Sequence, residues 1–262
     1  MTSKTEPRLL CYDLGEGVTA FSTTRHGGVS KTNYASFNIN PYCGDSTDHV
    51  ARNRQLLADK LGLPASHIVL PHQVHGIEHR AVAPELLDMS DAVRDKILDG
   101  VDMVTTSMTG VCIGVSTADC IPVLLYDPVA RATAAIHAGW RGTLQRICQR
   151  AVMAMQLHYG TTPDRLRAVV GPGISLANFE VGQEVYDQFL QAGFDLTETA
   201  EWHTKWHLDL PGINIRELIG CGVAPEHIHH ADICTFDHAD DYFSARRLGI
   251  DSGRIYTGIL MR

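Results

Sequence analysis

The tightest constraint on this chain is a set of four apolar, strand-length segments in its middle. They are Val101–Thr106, Val111–Val115, Ile121–Tyr126 and Ala132–Ile136. Turn residues such as Thr109-Gly110 separate them. Their apolar character is nearly continuous instead of alternating, which requires strands buried on both faces. Such strands need covering layers, and helical periodicity supplies two. Val50, Asn53/Arg54, Leu57 and Leu61 fall at helical spacing, closed by Gly62 and Pro64. Thr143–Tyr159 follows the strands, with Leu144, Ile147, Ala151, Val152 and Met155 on one side. Further strands are predicted at Val18–Thr23, His67–Pro71, Leu166–Val170, Trp206–Leu210, His227–His230 and Ile255–Met261. Helices are predicted at about 183–191 and 213–219. Residues 84–99 read as a loop with a short helix, and 232–247 as irregular. The first ten residues are polar and expected to fray. No linker, repeat or compositional break divides the chain, so the expectation is one α+β domain.

Two of the apolar runs deliver reactive side chains. Cys120 closes Thr117-Ala118-Asp119-Cys120 just ahead of one strand. His137 follows Ala132–Ile136 and precedes Ala138-Gly139-Trp140-Arg141-Gly142 at the mouth of a helix. Adjacent strands would bring thiol and imidazole to one sheet edge. That arrangement suits a Cys/His nucleophile pair or two ligands of a metal. A buried thiol beside a capping histidine is the bland alternative. Fourteen histidines are more than a scaffold needs. In His72-Gln73-Val74-His75-Gly76, positions 72 and 75 point to opposite faces of a strand, so at most one can face a given site unless the strand breaks at Pro71 or Gly76. Arg25-His26-Gly27-Gly28 is a glycine-rich loop that could cradle an anion or be a plain turn.

Several chemistries are disfavoured. His203 and His207 lack the Glu of a zincin motif, and no zinc-deaminase H-x-E with P-C-x-x-C occurs. There is no nucleophile elbow, dinucleotide fingerprint or P-loop. Seven scattered cysteines without a C-x-x-C pair suggest a reducing, cytoplasmic setting. The net charge of −8 argues against nucleic acid as a partner, and no apolar run is long enough to span a membrane.

Taken jointly, the motifs resemble one family. Phe21-Ser22-Thr23-Thr24-Arg25-His26-Gly27-Gly28-Val29-Ser30, Cys43-Gly44-Asp45, Asn53-Arg54, Gln73-Val74-His75-Gly76, Thr117–Cys120, His137–Gly142, Phe179-Glu180-Val181-Gly182 and Phe243-Ser244 with Arg246-Arg247 occur in its order. The chain is similar to the YfiH/YlmD family, long labelled laccase-domain or polyphenol oxidase proteins and related to the purine nucleoside-metabolising enzyme FAMIN. The resemblance implies a single-domain α/β/β/α sandwich with mixed sheets, of the type shared with cytotoxic necrotizing factor. It divides the chain into an N-terminal extension and first strand region at 1–17 and a catalytic domain at 18–262. It implies metal ligands His75, Cys120 and His137, holding zinc, with copper possible in vitro. His72 is left as a residue supporting the pocket.

By the same resemblance the activity would be phosphorolysis of adenosine, inosine and 5'-methylthioadenosine, with hydrolytic deamination of adenosine. The partners would then be small-molecule nucleoside and phosphate, acting on a monomer or homodimer. Arg25 and Arg246 are the candidate phosphate cations. Asn38 and Gln73 are candidates for hydrogen bonds to base or sugar. Asp119 is a candidate proton carrier or ligand orienter, provided the strand kinks there. Two departures stand out: Gly173 and Ile174 follow Pro172 where many relatives carry Cys or Ala, and Ala245 replaces a common aromatic. The alternatives are a Cys/His hydrolase that edits peptidoglycan precursors and a copper-dependent polyphenol oxidase. The second lacks a multicopper ligand set.

Overall fold

The structure, a computed structural model, describes residues 5–262. The first part of the chain forms β1 (Leu9–Tyr12), β2 (Val18–Thr23), α1 (Thr47–Leu61), β3 (Ile68–Val69), β4 (Glu78–Ala81), α2 (Pro84–Asp88) and α3 (Asp91–Ile97). The middle forms β5 (Val101–Thr106), β6 (Cys112–Thr117), β7 (Ile121–Asp127), β8 (Ala132–Ala138), α4 (Trp140–Leu144), α5 (Ile147–Tyr159) and β9 (Arg167–Val170). The last part forms β10 (Glu180–Val181), α6 (Gln183–Gln191), β11 (Ala200–Trp202), β12 (Trp206–Leu208), α7 (Leu210–Gly220), β13 (Ile228–His230), α8 (Ala245–Leu248) and β14 (Ile255–Met261).

Two mixed sheets result, one ordered β1-β2-β14-β6-β3 and the other β13-β9-β7-β8-β5-β4. Side-chain alternation assigns the layers. Leu124, Tyr126, Ala135 and Val104 on the second sheet pack against Ile113, Val115 and Ile259 on the first, forming the core between the sheets. Val123, Leu125, Ala134 and Ile136 point the other way and meet Ile147, Ala151, Val152 and Met155 of α5 with Ile213 and Leu218 of α7. Phe21, Tyr256 and Leu260 on the outer face of the first sheet pack on Leu57, Ala58 and Leu61 of α1. The chain is therefore a single-domain α/β/β/α sandwich, and the apolar middle strands are buried on both faces because each lies between another sheet and a helix. A small third sheet, β10-β12-β11, stands beside α6.

Some predicted elements differ. Residues 9 and 10, expected to fray, lie in β1, which pairs antiparallel with β2; residues 1–4 of that expected tail lie outside the described residues. The helix predicted over 143–159 is two helices, broken where Arg146 takes a left-handed φ of 60°. That conformation is held from outside the helix: the Arg146 guanidinium pairs with Glu217 and lies 4.1 Å from the Phe194 ring centroid. The strand ending at Leu210 stops at Leu208, because Asp209 caps α7 by accepting from Gly212 N at 3.0 Å. Residues 84–99 hold two helices, α2 and α3, and β4 and β11 lie where no strand was expected.

Candidate active site

β7 and β8 are antiparallel neighbours, with Ile121 opposite Ala138 and Pro122 opposite His137. Cys120 precedes β7 and so lies beside Gly139 at the end of the same ladder. Although consecutive, β6 and β7 belong to different sheets. Residues 118–120 are thus a crossing from one sheet to the other, and Cys120 stands at the edge where the two meet. The strand leading to His75 ends early: β3 stops at Val69, and His75 is left-handed at φ 63°. This break removes the opposite-faces restriction on His72 and His75. It turns His75 toward the other two residues, while His72 bonds Asp99 through Nδ1 at 2.7 Å and stacks on Tyr42.

One nitrogen each from His75 and His137 and the Cys120 sulfur lie within 4.8 Å of one another. The two imidazoles meet edge to face, with centroids 4.8 Å apart. His137 is buried, Cys120 partly exposed and His75 exposed, so the cluster is open on one side. Gly139, itself buried, leaves free the space beside all three side chains. A Cβ there would stand 3.0 Å from His75 Cδ2, 3.1 Å from Cys120 Sγ and 3.7 Å from His137 Nε2. Among the described residues this is the one group of three or more such side chains able to hold a metal ion.

Asp102 on β5 completes the site. It neighbours Met103, which pairs with Ile136 across the ladder. Its Oδ1 accepts from His137 Nδ1 at 2.7 Å and from His75 N at 3.0 Å; its Oδ2 accepts from Gly76 N at 2.7 Å and Val74 N at 3.2 Å. Burial pushes this carboxyl up, but the His137 contact and the backbone donors outweigh burial and hold it below its ordinary range. The bond to Nδ1 leaves Nε2 of His137 facing the cluster. Burial also opposes ionisation of the Cys120 thiol, yet the His137 charge, with hydrogen bonds from both histidines, brings it down to about 6. His137 in turn, lowered by burial, is raised to about 9 by the Cys120 thiolate and Asp102. Thiolate sulfur with two imidazole nitrogens is a borderline-soft donor set, and three protein ligands with an open fourth side is the pattern of a catalytic zinc-type site. The carboxylate behind His137 is the usual orienting partner of a ligating histidine. The residues present fit a single divalent ion.

Residues 19–262 match the model of a family described as multi-copper polyphenol oxidoreductase laccase. A crystal structure of the Bacillus licheniformis protein YfiH superposes with a TM-score of 0.90 at 29% identity, covering 98% of this chain and 97% of that one. YlmD from Geobacillus stearothermophilus gives 0.87 at 31% identity over 96% and 94%. The chain belongs to the YfiH/YlmD family. A Bacteroides thetaiotaomicron relative named purine nucleoside phosphorylase is 43% identical over 247 residues, 93% of this chain and 92% of its own length. A relative from an unknown prokaryotic organism, named adenosine deaminase RL5, is 38% identical over 247 residues, 93% and 94% of the two chains.

In this YfiH/YlmD member the remaining site candidates divide. Asp119 has the kink that sequence parity demanded, at φ 83°. Its carboxylate, however, accepts from Thr235 Oγ1 at 2.7 Å and Arg246 N at 2.6 Å, tying the 235–246 segment to the Cys120 turn. Arg246 is therefore next to the triad's own turn; its guanidinium donates to Glu180 O and lies 5.7 Å from the Phe179 ring centroid. Arg25 is bound more tightly, donating Nε to Ala35 O and Nη1 to Ala239 O over the Phe243 ring.

Gln73 spends both ends of its amide on Ser116, donating to its carbonyl at 2.8 Å and accepting from its backbone N at 2.8 Å. Asn38 is fully buried, with bonds to Asn40, Asp45 and Arg254. Instead of facing base or sugar, these two amides brace the loops that carry the site. Asp102 was not among the residues singled out from sequence. Its signal was available: one carboxylate among Val101, Met103 and Val104 of a buried strand, where a buried charge demands partners.

Proposed function

We propose that the chain is a zinc-dependent purine nucleoside enzyme that phosphorolyses adenosine, inosine and 5'-methylthioadenosine and hydrolytically deaminates adenosine. The observation that carries this reading is the open His75–Cys120–His137 cluster, backed by Asp102, in a chain close to relatives named for those two activities. We place the working unit at residues 18–262, in a cytoplasmic monomer or homodimer.

His75, Cys120 and His137 would hold the ion. When bound it supplies Lewis acidity, lowering the pKa of water and drawing charge from an oxygen of the reactants. With an ion bound, Asp102 would hold the His137 proton on Nδ1 and leave the Nε2 lone pair for the ion. Gly139 leaves the space into which the reacting atoms fit. For phosphorolysis a phosphate oxygen must reach the ribose C1' as the purine leaves. Arg246 is the better placed of the two candidate cations, because Asp119 fixes its backbone beside the Cys120 turn. For deamination a water oxygen must reach the purine C6, and the solvent-open side of the cluster, by His75, is the direction of entry.

The test is a panel of adenosine, inosine and 5'-methylthioadenosine run with metal-replete protein, with and without phosphate. Ribose-1-phosphate products and free purine base, lost on chelation and restored by zinc, are expected. No turnover of any of the three by metal-replete protein would sink the proposal. A second reading rests on a separate observation: a thiol brought to about 6 beside a charged imidazole is also the state of a thiol nucleophile. It corresponds to a Cys/His hydrolase of peptidoglycan precursors. Activity on such precursors that survives chelation and vanishes with Cys120→Ala would favour it. Oxidation of phenols by the copper-loaded but not the zinc-loaded protein would instead favour a polyphenol oxidase.

A further inference from the structure

We propose that Asp102 is a positioning residue that presets both histidines of the cluster at once, one through its ring and the other through its backbone. This rests on reading His75, Cys120 and His137 as a metal site. The His137 contact alone would be an ordinary carboxylate behind a ligating imidazole. What sets Asp102 apart is the other side of the same carboxylate. Three consecutive backbone N–H groups, of Val74, His75 and Gly76, converge on it at 3.2, 3.0 and 2.7 Å. Successive N–H groups pointing to one side form an anion-holding nest, which requires a left-handed residue in the run. His75 is that residue, at φ 63°.

Asp102 and His137 are 0% and 3% exposed, so water does not replace either partner. The carboxylate thus supplies the anion that stabilises the backbone shape presenting His75, while fixing the His137 ring. Disturbing it loosens two ligands held on different elements. An asparagine fits the space but cannot do the same. It offers one acceptor oxygen, and its NH2 would confront N–H donors already aimed at the second.

The experiment measures metal affinity, not turnover. Metal-free wild type, Asp102→Asn, His75→Ala, His137→Ala and the two double variants are titrated with zinc against a chromophoric chelator. The Co²⁺ absorption bands of wild type and Asp102→Asn are also recorded. Asp102→Asn is expected to bind zinc about 10–100-fold more weakly, with altered Co²⁺ bands and an unchanged circular dichroism spectrum. In both histidine-lacking backgrounds the same substitution should cost less than about threefold, because each background has already lost part of what Asp102 holds. Affinity within about twofold of wild type overturns the inference. So does a loss undiminished in the His75→Ala background, which would mean that Asp102 acts through His137 alone. Wild type that binds neither ion sinks the metal reading itself, and this inference with it. Should Asp102→Asn fail to fold, Gly76→Ala carries the test. Its Cβ would stand 3.2 Å from Asp102 Oδ2, crowding the nest without removing the charge. Weaker zinc binding is expected there too, and unchanged binding would count as refutation.

Discussion

The Asp119 carboxylate accepts the backbone N–H of Arg246 at 2.6 Å and the Thr235 hydroxyl at 2.7 Å, joining the turn that bears Cys120 to a segment more than a hundred residues later in the chain. Asp119 is also left-handed, a conformation that Asp and Asn tolerate better than Ala. Asp119→Ala should therefore lose two bonds to a charged acceptor and adopt a strained φ. The expected cost is about 2–4 kcal/mol of stability, read from urea denaturation. Asp119→Asn should lose less than half as much. In phosphorolysis the alanine variant is expected to show a KM for phosphate raised at least about tenfold, because Arg246 is released with the segment. An unchanged KM would show that Arg246 does not bind phosphate.

The coupled thiol and imidazole make a pH prediction for the metal-free protein. Burial opposes both charges, but the partner's charge together with the hydrogen bonds among His75, Cys120, His137 and Asp102 outweighs it, bringing Cys120 from 9.0 to about 6 and His137 from 6.5 to about 9. The lowered thiol contributes stability that is complete above pH 9 and is lost as pH falls through about 6. The raised imidazole contributes stability that is complete below 6.5 and is lost as pH rises through about 9. Between 6.5 and 9 these slopes oppose, because the folded thiolate–imidazolium pair binds as many protons as an unfolded thiol with a neutral imidazole. The difference in melting temperature between wild type and the Cys120→Ala/His137→Ala variant should therefore be flat over that range. Cys120 alkylation, followed by peptide mapping, should instead titrate with a midpoint near 6. In His137→Ala the midpoint should move back toward the ordinary thiol value of 9.0. A midpoint left near 6 there would mean that His137 does not lower the thiol.

Gly139 separates space from backbone freedom. Its φ of −70° suits any residue, so Gly139→Ala should fold with near-normal stability. The added methyl would sit 3.0 Å from His75 Cδ2 and 3.1 Å from Cys120 Sγ, against the cluster. We expect zinc affinity or turnover to fall at least about tenfold, since a misplacement of about 1 Å near reacting atoms can cost a hundredfold. A folded Gly139→Ala protein with wild-type affinity and kcat/KM would show that the reaction uses another face.

Much of this was legible because burial writes itself into composition. The doubly covered strands β7 and β8 are buried at every position and apolar at most of them, and α1 and α5 show one apolar side. What sequence could not show was which sheet each strand joins. β6 and β7 are consecutive and equally apolar, yet they lie in different sheets, and that crossing is what puts Cys120 at the edge. The break at Arg146 was invisible because neither glycine nor proline marks it; contacts with Glu217 and Phe194 hold it. Period-2 reasoning on His72 and His75 left open which of them faces the site, for a related reason. It assumes an unbroken strand, and the left-handed His75 depends on an acceptor, Asp102, that belongs to a distant element. Asn38 and Gln73 have the right chemistry for a nucleoside, but amides bonded to their own loops and amides free to bind a ligand look alike in sequence.

Asn53 shows the same ambiguity from the stability side. It lies on the inward face of α1, fully buried among apolar neighbours. Its Oδ1 accepts from Val29 N at 2.9 Å, and its Nδ2 donates to Ser30 Oγ and Asn38 O, each at 2.9 Å. These bonds hold the loop containing Gly28, where a Cβ would come within 2.1 Å of Ser36 O, so the loop has one close-packed seat against α1. Asn53→Ala would take the side-chain partner from the half-buried Val29 N–H and the buried Asn38 carbonyl, at about 1–3 kcal/mol each. The expected loss is about 3 kcal/mol or more, measured by chemical denaturation. Asn53→Leu should do no better, because added apolar area cannot satisfy those groups. A loss below about 1 kcal/mol in both variants would mean that water or a loop rearrangement replaces the side chain and that Asn53 does not anchor the loop.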